Sequence, residues 1–356
     1  MTVHAVPIKA EVWMLEAGGA PLVRRTLELP DPSPTEAIVE VLACGLCHTD
    51  LGFADGSVPP SHALPLVLGH EIVGKVVAGP AKLMGHTVIV PAVLPCGECA
   101  FCRSGRGNAC PTQAMPGKDI HGGFATHVLV PARPLVPVDV APEGFDLREL
   151  SVVADAVSTA YQAVQRSNLG SGDVAFVVGA GGVGAFIVQI AHAEGAHVIA
   201  LDVQADRLAL MAAHGADRTI SVGGVDPKDV RKEAHALAKK WNVPSLRYRI
   251  FECGGTPASQ SLAYGLLSRA ATLVQVGYTP KPIEVRFSNL MAFDATVHGS
   301  WGCPPEVYPE VLDLIWRGEV VLTPFVDYVP MSRINECLAD MAAHKLTRRM
   351  ILDPRS

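Results

Sequence analysis

Val174-Ala175-Phe176-Val177-Val178-Gly179-Ala180-Gly181-Gly182-Val183-Gly184 decides the fold. Its first five residues are apolar and valine-rich, which predicts a buried strand, and the run that follows has the spacing G-x-G-x-x-G. An apolar helical stretch comes next, and then a second strand, residues 198–201, closing on Asp202, 18 residues past the last glycine. Glycines at 179, 181 and 184, with Gly182 and Val183 between them, let the backbone approach a pyrophosphate whose charge the helix N-terminus stabilises. Asp202 can accept hydrogen bonds from adenosine ribose hydroxyls and would repel a 2′-phosphate, so the pattern expects NAD in preference to NADP. The blander reading is a tight strand-to-helix turn beside a surface aspartate. Strand, glycines and acid falling together in one unit argue against it.

Outward from this motif, strands at 174–178, 198–201, 248–251 and 271–276 alternate with helices. That alternation predicts an α/β domain, a doubly wound parallel sheet, over residues 152–292. Ahead of it, from residue 3 to about 138, the chain reads as short β runs such as Ala37-Ile38-Val39-Glu40-Val41 and His86-Thr87-Val88-Ile89-Val90, punctuated by glycine and proline. This predicts an irregular β domain over residues 1–151, with a helical stretch at 147–166 leading out of it. After 292 the character is mixed, with helices expected at 305–317 and 332–344, so residues 293–356 return to the first domain. The 356 residues suffice for two cores.

Composition narrows the class. Hydrophobic residues make up 49% and charged residues 18%, as in a globular protein. The longest apolar stretch, 174–188, contains four glycines and falls short of the ~18 residues of a membrane span. Residues 1–16 mix His4, Lys9 and Glu11 among apolar residues, unlike the charged head and apolar core of a secretory leader. We therefore expect a cytoplasmic protein with no membrane partner. The net charge of −6, with lysine and arginine spread along the chain, gives no footprint for nucleic acid. A small-molecule substrate is expected.

Two constellations then point to metal. Cys96, Cys99, Cys102 and Cys110 follow C-x2-C-x2-C-x7-C, which suits a closed, structural zinc held by four thiolates in a lobe at about 92–112. An iron–sulfur cluster and a disulfide pair are the alternatives. The second set is dispersed: Cys47 in Cys44-Gly45-Leu46-Cys47-His48-Thr49-Asp50, His70 in Gly69-His70-Glu71, and Asp155 in Ala154-Asp155-Ala156-Val157. Three protein ligands and one open position make a catalytic zinc. Asp155 interrupts an apolar run, where a carboxylate is costly unless paired or bound to a cation. Each residue also has a plainer reading: Cys47 as a packed thiol or a redox pair with Cys44, His70 as a core histidine, Asp155 as a helix cap or an arginine partner. Their joint occurrence favours the metal.

These motifs, with the ending Arg349-Met350-Ile351-Leu352, resemble the zinc-containing medium-chain alcohol dehydrogenases over nearly the whole chain. The resemblance implies a GroES-like catalytic domain joined to a Rossmann domain, NAD, two zinc ions per chain, and a homodimer or homotetramer. It implies Cys47, His70 and Asp155 on the catalytic zinc, although many members have cysteine where Asp155 stands and some have glutamate. Glu71 lies behind that zinc as an alternate ligand, and Asp50 supports His70. Thr49 relays the substrate proton, His48 and Arg349 contact the pyrophosphate, and Arg207 contacts the adenosine ribose. Two departures stand out. Gly52 occupies a position where several members carry a relay histidine, and Ala92 stands where many small-alcohol enzymes have a pocket aromatic. Within the family, the stretch Val88-Ile89-Val90-Pro91-Ala92-Val93-Leu94-Pro95-Cys96, with Met115-Pro116-Gly117 and Asp119-Ile120-His121-Gly122-Gly123, is most similar to the 6-hydroxycyclohex-1-ene-1-carbonyl-CoA dehydrogenases of benzoyl-CoA breakdown. It implies a cyclic hydroxyacyl-CoA substrate oxidised to a ketone. Two rivals are a polyol or sugar dehydrogenase and a non-catalytic NAD-binding redox sensor. The open zinc position beside Thr49 argues against the sensor.

Overall fold

The computed structural model describes residues 7–138 and 140–355; residues 3–6 of the expected β-rich start lie outside the described residues. The chain divides into two compact units. One holds the chain up to Asp155, Gly302–Trp316 and the residues from Leu322 on; the other holds Ala156–Trp301 and Arg317–Val321.

The first unit is built from β1 (Lys9–Leu15), β2 (Val23–Glu28), β3 (Glu36–Gly45), β4 (Leu66–Val67), β5 (Glu71–Ala78), β6 (Thr87–Val90), β7 (His127–Pro131) and β8 (Val136–Pro137). β2, β1 and β4 form a small antiparallel sheet. In the larger sheet β3 pairs with β5, β7 and the strand Arg349–Asp353, which returns from the C-terminus beside Val326–Pro330. Alternating valine, leucine and isoleucine on these strands fill one core with Val39, Val41, Leu68, Ile72 and Phe124. Long loops leave the strand ends, and the metal-type residues sit on them.

The second unit is a six-stranded sheet in the order β11-β10-β9-β12-β13-β14, with β9 (Val174–Val178), β10 (His197–Asp202), β11 (Arg218–Ser221), β12 (Tyr248–Glu252), β13 (Thr272–Gln275) and β14 (Thr296–Gly299). Every pairing is parallel. β9 is buried along its whole length, as a strand covered on both faces must be. Phe176 and Tyr248 pack edge to face at 5.2 Å in its core. The strand order reverses between β9 and β12, the switch point outside which open α/β sheets bind ligands.

β11 and β14 were not expected from the sequence. β11 buries only Ile220 and β14 buries no residue, so neither edge strand carries a continuous apolar run. β14 also extends the parallel sheet past residue 292, the expected edge of the domain. The expected helix 147–166 is broken: Leu147–Ala154 is 3-10 helix and Ala156–Ser167 is α-helix, with Asp155 between them at φ −138°, ψ −66°.

The fingerprint turn is closed by steric contact. A Cβ on Gly184 would lie 1.9 Å from the Gly179 carbonyl oxygen. Gly184→Ala should therefore cost ~1–3 kcal/mol through forced displacement of the helix start. Urea unfolding at an unchanged midpoint would show that the turn has slack.

Candidate functional site

The site grows from one carboxylate. Asp50, in the first turn of the helix His48–Ala54, is fully buried. Its Oδ2 accepts the Cys47 N–H at 2.9 Å, and its Oδ1 accepts the Gly69 N–H at 3.1 Å and meets His70 Nδ1 at 3.2 Å. Two segments far apart in sequence are thereby fixed to each other, and the Nδ1 bond turns His70 Nε2 outward as a lone-pair donor. Gly69 makes this possible. Its φ is +96°, and a Cβ there would lie 2.6 Å from the Phe124 ring and 2.9 Å from Cys44 Sγ.

Asp155 joins from the break between the two helical segments. Its Oδ2 lies 3.8 Å from Cys47 Sγ and 3.7 Å from His70 Nε2. His70 Nε2 is buried with no hydrogen-bond partner. Cys47, His70, Glu71 and Asp155 each offer a ligand atom, all within 4.8 Å of one another. Zinc bonds of about 2.0–2.3 Å in a tetrahedron put ligand atoms ~3.3–3.6 Å apart, a few tenths of an ångström from these separations. The donor set and the orphaned Nε2 fit zinc. Burial favours a neutral His70 ring, while Asp50 and the neighbouring acceptors act in the opposite direction and raise its pKa; binding a cation through Nε2 requires the neutral ring, so the ion would displace that proton.

Glu71 sits at the start of β5 and is fully buried. Its Oε1 receives Arg349 Nη1 at 2.6 Å, while its Oε2 has no partner. Burial raises its carboxyl to about 7 against the lowering pull of Arg349. Gly45 makes the space, since a Cβ there would lie 2.1 Å from Glu71 Oε2. The Arg349 side chain is only 7% exposed, and its Nη1 donates to Glu71. Thr49 and His48 are exposed, and Thr49 Oγ1 lies 3.7 Å from Cys47 Sγ.

Cys96, Cys99, Cys102 and Cys110 come together with Sγ separations of 3.5 Å (99–102), 3.6 Å (96–110), 3.7 Å (99–110) and 3.9 Å (96–102). A tetrahedral zinc with Zn–S of about 2.3 Å requires ~3.8 Å. All four are free thiols, so the disulfide alternative falls. Sequence reasoning missed Arg133, which donates to the Cys96 and Gly97 carbonyls at 2.6 and 2.9 Å and braces the lobe. An exposed arginine distant in sequence gives no signal of such a role.

In the second unit, Gly179 has φ +94°, and a Cβ there would lie 2.6 Å from the Gly254 nitrogen. A Cβ on Gly181 would meet Arg207 Nη1 at 3.5 Å. Asp202 is buried rather than a surface residue: Oδ2 accepts the Ala180 N–H at 2.7 Å, Oδ1 accepts the Gln204 N–H at 2.9 Å, and Arg207 Nη1 is 3.9 Å away. Backbone bared by glycine beside a strand-end carboxylate fits a dinucleotide.

Comparison with known proteins gives the same direction. The Alcohol dehydrogenase GroES-like domain matches residues 33–140 and the Zinc-binding dehydrogenase family matches residues 182–317. An alcohol dehydrogenase of Geobacillus stearothermophilus is 30% identical over 334 residues, which span 92% of this chain and 94% of that relative. The chain belongs to the zinc-containing medium-chain alcohol dehydrogenases. An L-galactonate-5-dehydrogenase of Escherichia coli is 28% identical, spanning 84% of this chain and 85% of the relative. The alcohol dehydrogenase structure from Aeropyrum pernix superposes with a TM-score of 0.85 at 26% identity, over 97% of this chain and 100% of that one.

For this member of the family, metal analysis of the loaded protein should find two zinc ions per chain. Cys99→Ser should release one and lower thermal stability, while Cys47→Ser should release the other and abolish turnover with the fold retained. Asp50→Asn places an amide N–H against backbone donors and should weaken retention of the second ion by ~10–100-fold. A single zinc ion in wild type would overturn the two-site assignment.

Proposed function

We propose that the chain oxidises a secondary cyclic alcohol to a ketone with NAD, its substrate being 6-hydroxycyclohex-1-ene-1-carbonyl-CoA and its product the 6-oxo compound of anaerobic benzoyl-CoA degradation. The observation that carries the dehydrogenase reading is the open cluster of Cys47, His70 and Asp155 with the exposed Thr49 hydroxyl 3.7 Å from Cys47 Sγ. The first unit serves as the GroES-like catalytic domain and the second as the Rossmann cofactor domain.

When bound, zinc supplies a Lewis acid for the alcohol oxygen and NAD supplies the hydride acceptor. Cys47, His70 and Asp155 would hold the metal. Asp50 keeps Cys47 and His70 in register through its three contacts. Thr49 Oγ takes the substrate proton and, with Gly52 in place of a histidine, passes it to water. Asp202 accepts ribose hydroxyl hydrogen bonds on its remaining lone pairs, with Arg207 beside it, and His48 meets the pyrophosphate.

The cyclic CoA ester rests on the resemblance of the segment around Ala92 and on that residue itself. Ala92 is buried and donates its N–H to the Ala154 carbonyl at 3.0 Å, one residue from the Asp155 ligand. A small side chain there spares room beside the metal. The polyol reading stands second, favoured by the Escherichia coli relative and by the carboxylate ligand. Among the described residues no helix is long and apolar enough to cross a membrane; the free thiols favour a reducing cytoplasm. A second copy of this chain is the partner we assign. Among the described residues β14 ends the sheet with Val297 exposed, and Phe287 and Met291, at the helix that precedes it in sequence, are 76% and 79% exposed.

Wild type should prefer NAD to NADP in kcat/KM, and Asp202→Ala should narrow the gap by weakening NAD and relieving repulsion of the 2′-phosphate. Equal use of NADP by wild type would remove that role from Asp202. Among substrates, the CoA ester should exceed the free acid, because remote contacts help orient the reacting carbon. Ethanol should be poor, since it buries little apolar area. Ala92→Trp should penalise the cyclic substrate more than a short linear alcohol. A wild type that favours sorbitol or ethanol would refute the assignment.

A further inference from the structure

Glu252 ends β12 and is fully buried, and among the described residues no hydrogen bond or ion pair joins it to a cation. Its Oε1 accepts the N–H groups of both Gly254 and Gly255 at 2.9 Å, and its Oε2 accepts the Gln275 side-chain amide at 2.5 Å. Its backbone carbonyl receives Val276 and Gly277 at 3.0 and 2.9 Å, and Gln275 also donates to the Gly277 carbonyl at 2.7 Å. One residue thus ties together the loops after β12 and after β13.

The two loops touch backbone to backbone. A Cβ on Gly277 would lie 2.4 Å from the Gly255 nitrogen, and one on Gly255 would lie 2.8 Å from the Tyr278 carbonyl oxygen. Gly254, held by Glu252, is also the residue against which the Gly179 turn closes. The junction therefore sits across the switch point from the phosphate turn, at the carboxyl ends of β12 and β13. In a doubly wound sheet each half serves one mononucleotide. The fingerprint and Asp202 occupy the half formed by β9 to β11, which leaves the β12–β14 half for the other.

We infer that Glu252 is a positioning residue for the nicotinamide half of NAD, fixing the glycine loops after β12 and β13 in the form that receives it. A buried carboxylate without a cation is costly, and here three N–H donors compensate it. Two of those donors belong to glycines, whose backbone would otherwise be the most mobile in the junction. This inference rests on the NAD reading above, so its test separates the two halves of the cofactor.

The experiment measures NADH and ADP-ribose affinity by calorimetry, with thermal unfolding, for wild type, Glu252→Ala and Glu252→Gln. Glu252→Ala should weaken NADH by about tenfold or more and ADP-ribose by less than about threefold, because only the nicotinamide side loses its fixed backbone. Glu252→Gln should fall between, since its amide oxygen still accepts from Gly254 and Gly255. An equal loss of both ligands, or of neither, would overturn the positioning role. Should Glu252→Ala fail to fold, Gln275→Leu, which removes only the Oε2 donor, reads the same ratio by the same criterion. Failure of wild type to bind either ligand would instead overturn the NAD assignment.

Discussion

Everything at the metal-type site depends on the Asp50 carboxylate. Three N–H groups converge on its two oxygens, from Cys47, Gly69 and His70. The β3–β5 ladder brings the two segments alongside each other through Gly45 and Glu71, and the carboxylate then fixes Cys47 and His70, which lie just beyond it. The carboxylate also sets which ring nitrogen of His70 faces Asp155, because a donor at Nδ1 leaves the Nε2 lone pair outward. A buried charge is expensive, and full satisfaction by N–H donors is what makes this one tolerable. Geometry and charge of the site are thus one problem with one solution.

The second unit repeats that device. Asp202 accepts N–H groups from Ala180 and Gln204, and Glu252 accepts them from Gly254 and Gly255. In each case a strand ends in a carboxylate, and the loop that must meet a ligand through its backbone is pinned to it. Glycine supplies close approach but no rigidity of its own. The acids restore what the glycines give up, which is why they lie buried at strand ends rather than on the surface.

Much of this was legible in the sequence, for a physical reason in each case. The glycine spacing and the acid 18 residues on are local features that only one strand–turn–helix can satisfy. Four cysteines within 15 residues are equally local. Cys47, His70 and Asp155 were legible because a carboxylate in an apolar run needs a cation. What escaped was non-local or weakly patterned. Edge strands β11 and β14 bury too little to show a period. The pairing of Arg349 with Glu71 spans 278 residues, a distance over which no sequence pattern speaks. The helix expected through Asp155 breaks there, where the side chain lies 3.7 Å from His70, a tertiary placement that helix propensity does not record.

The Glu71–Arg349 pair completes the charge argument. On the proposed ligand set, a Cys47 thiolate and the Asp155 carboxylate would together neutralise a divalent ion, and a third anionic ligand would leave the centre negative and less able to polarise an alcohol oxygen. Glu71 lies within ligand reach, yet Arg349 holds its Oε1 at 2.6 Å and its burial already favours the protonated form. The arginine thus engages one oxygen of Glu71 and leaves Oε2 unpartnered near the cluster. Asp155 in place of a second thiolate keeps the ligand charge but offers a harder oxygen donor. An oxygen donor would give less charge to a bound metal than a thiolate, which would leave it a stronger Lewis acid toward a substrate oxygen. On that reading position 155 would tune the reactivity of the centre without changing its net charge, and Asp155 presents its oxygen from the break between the two helical segments.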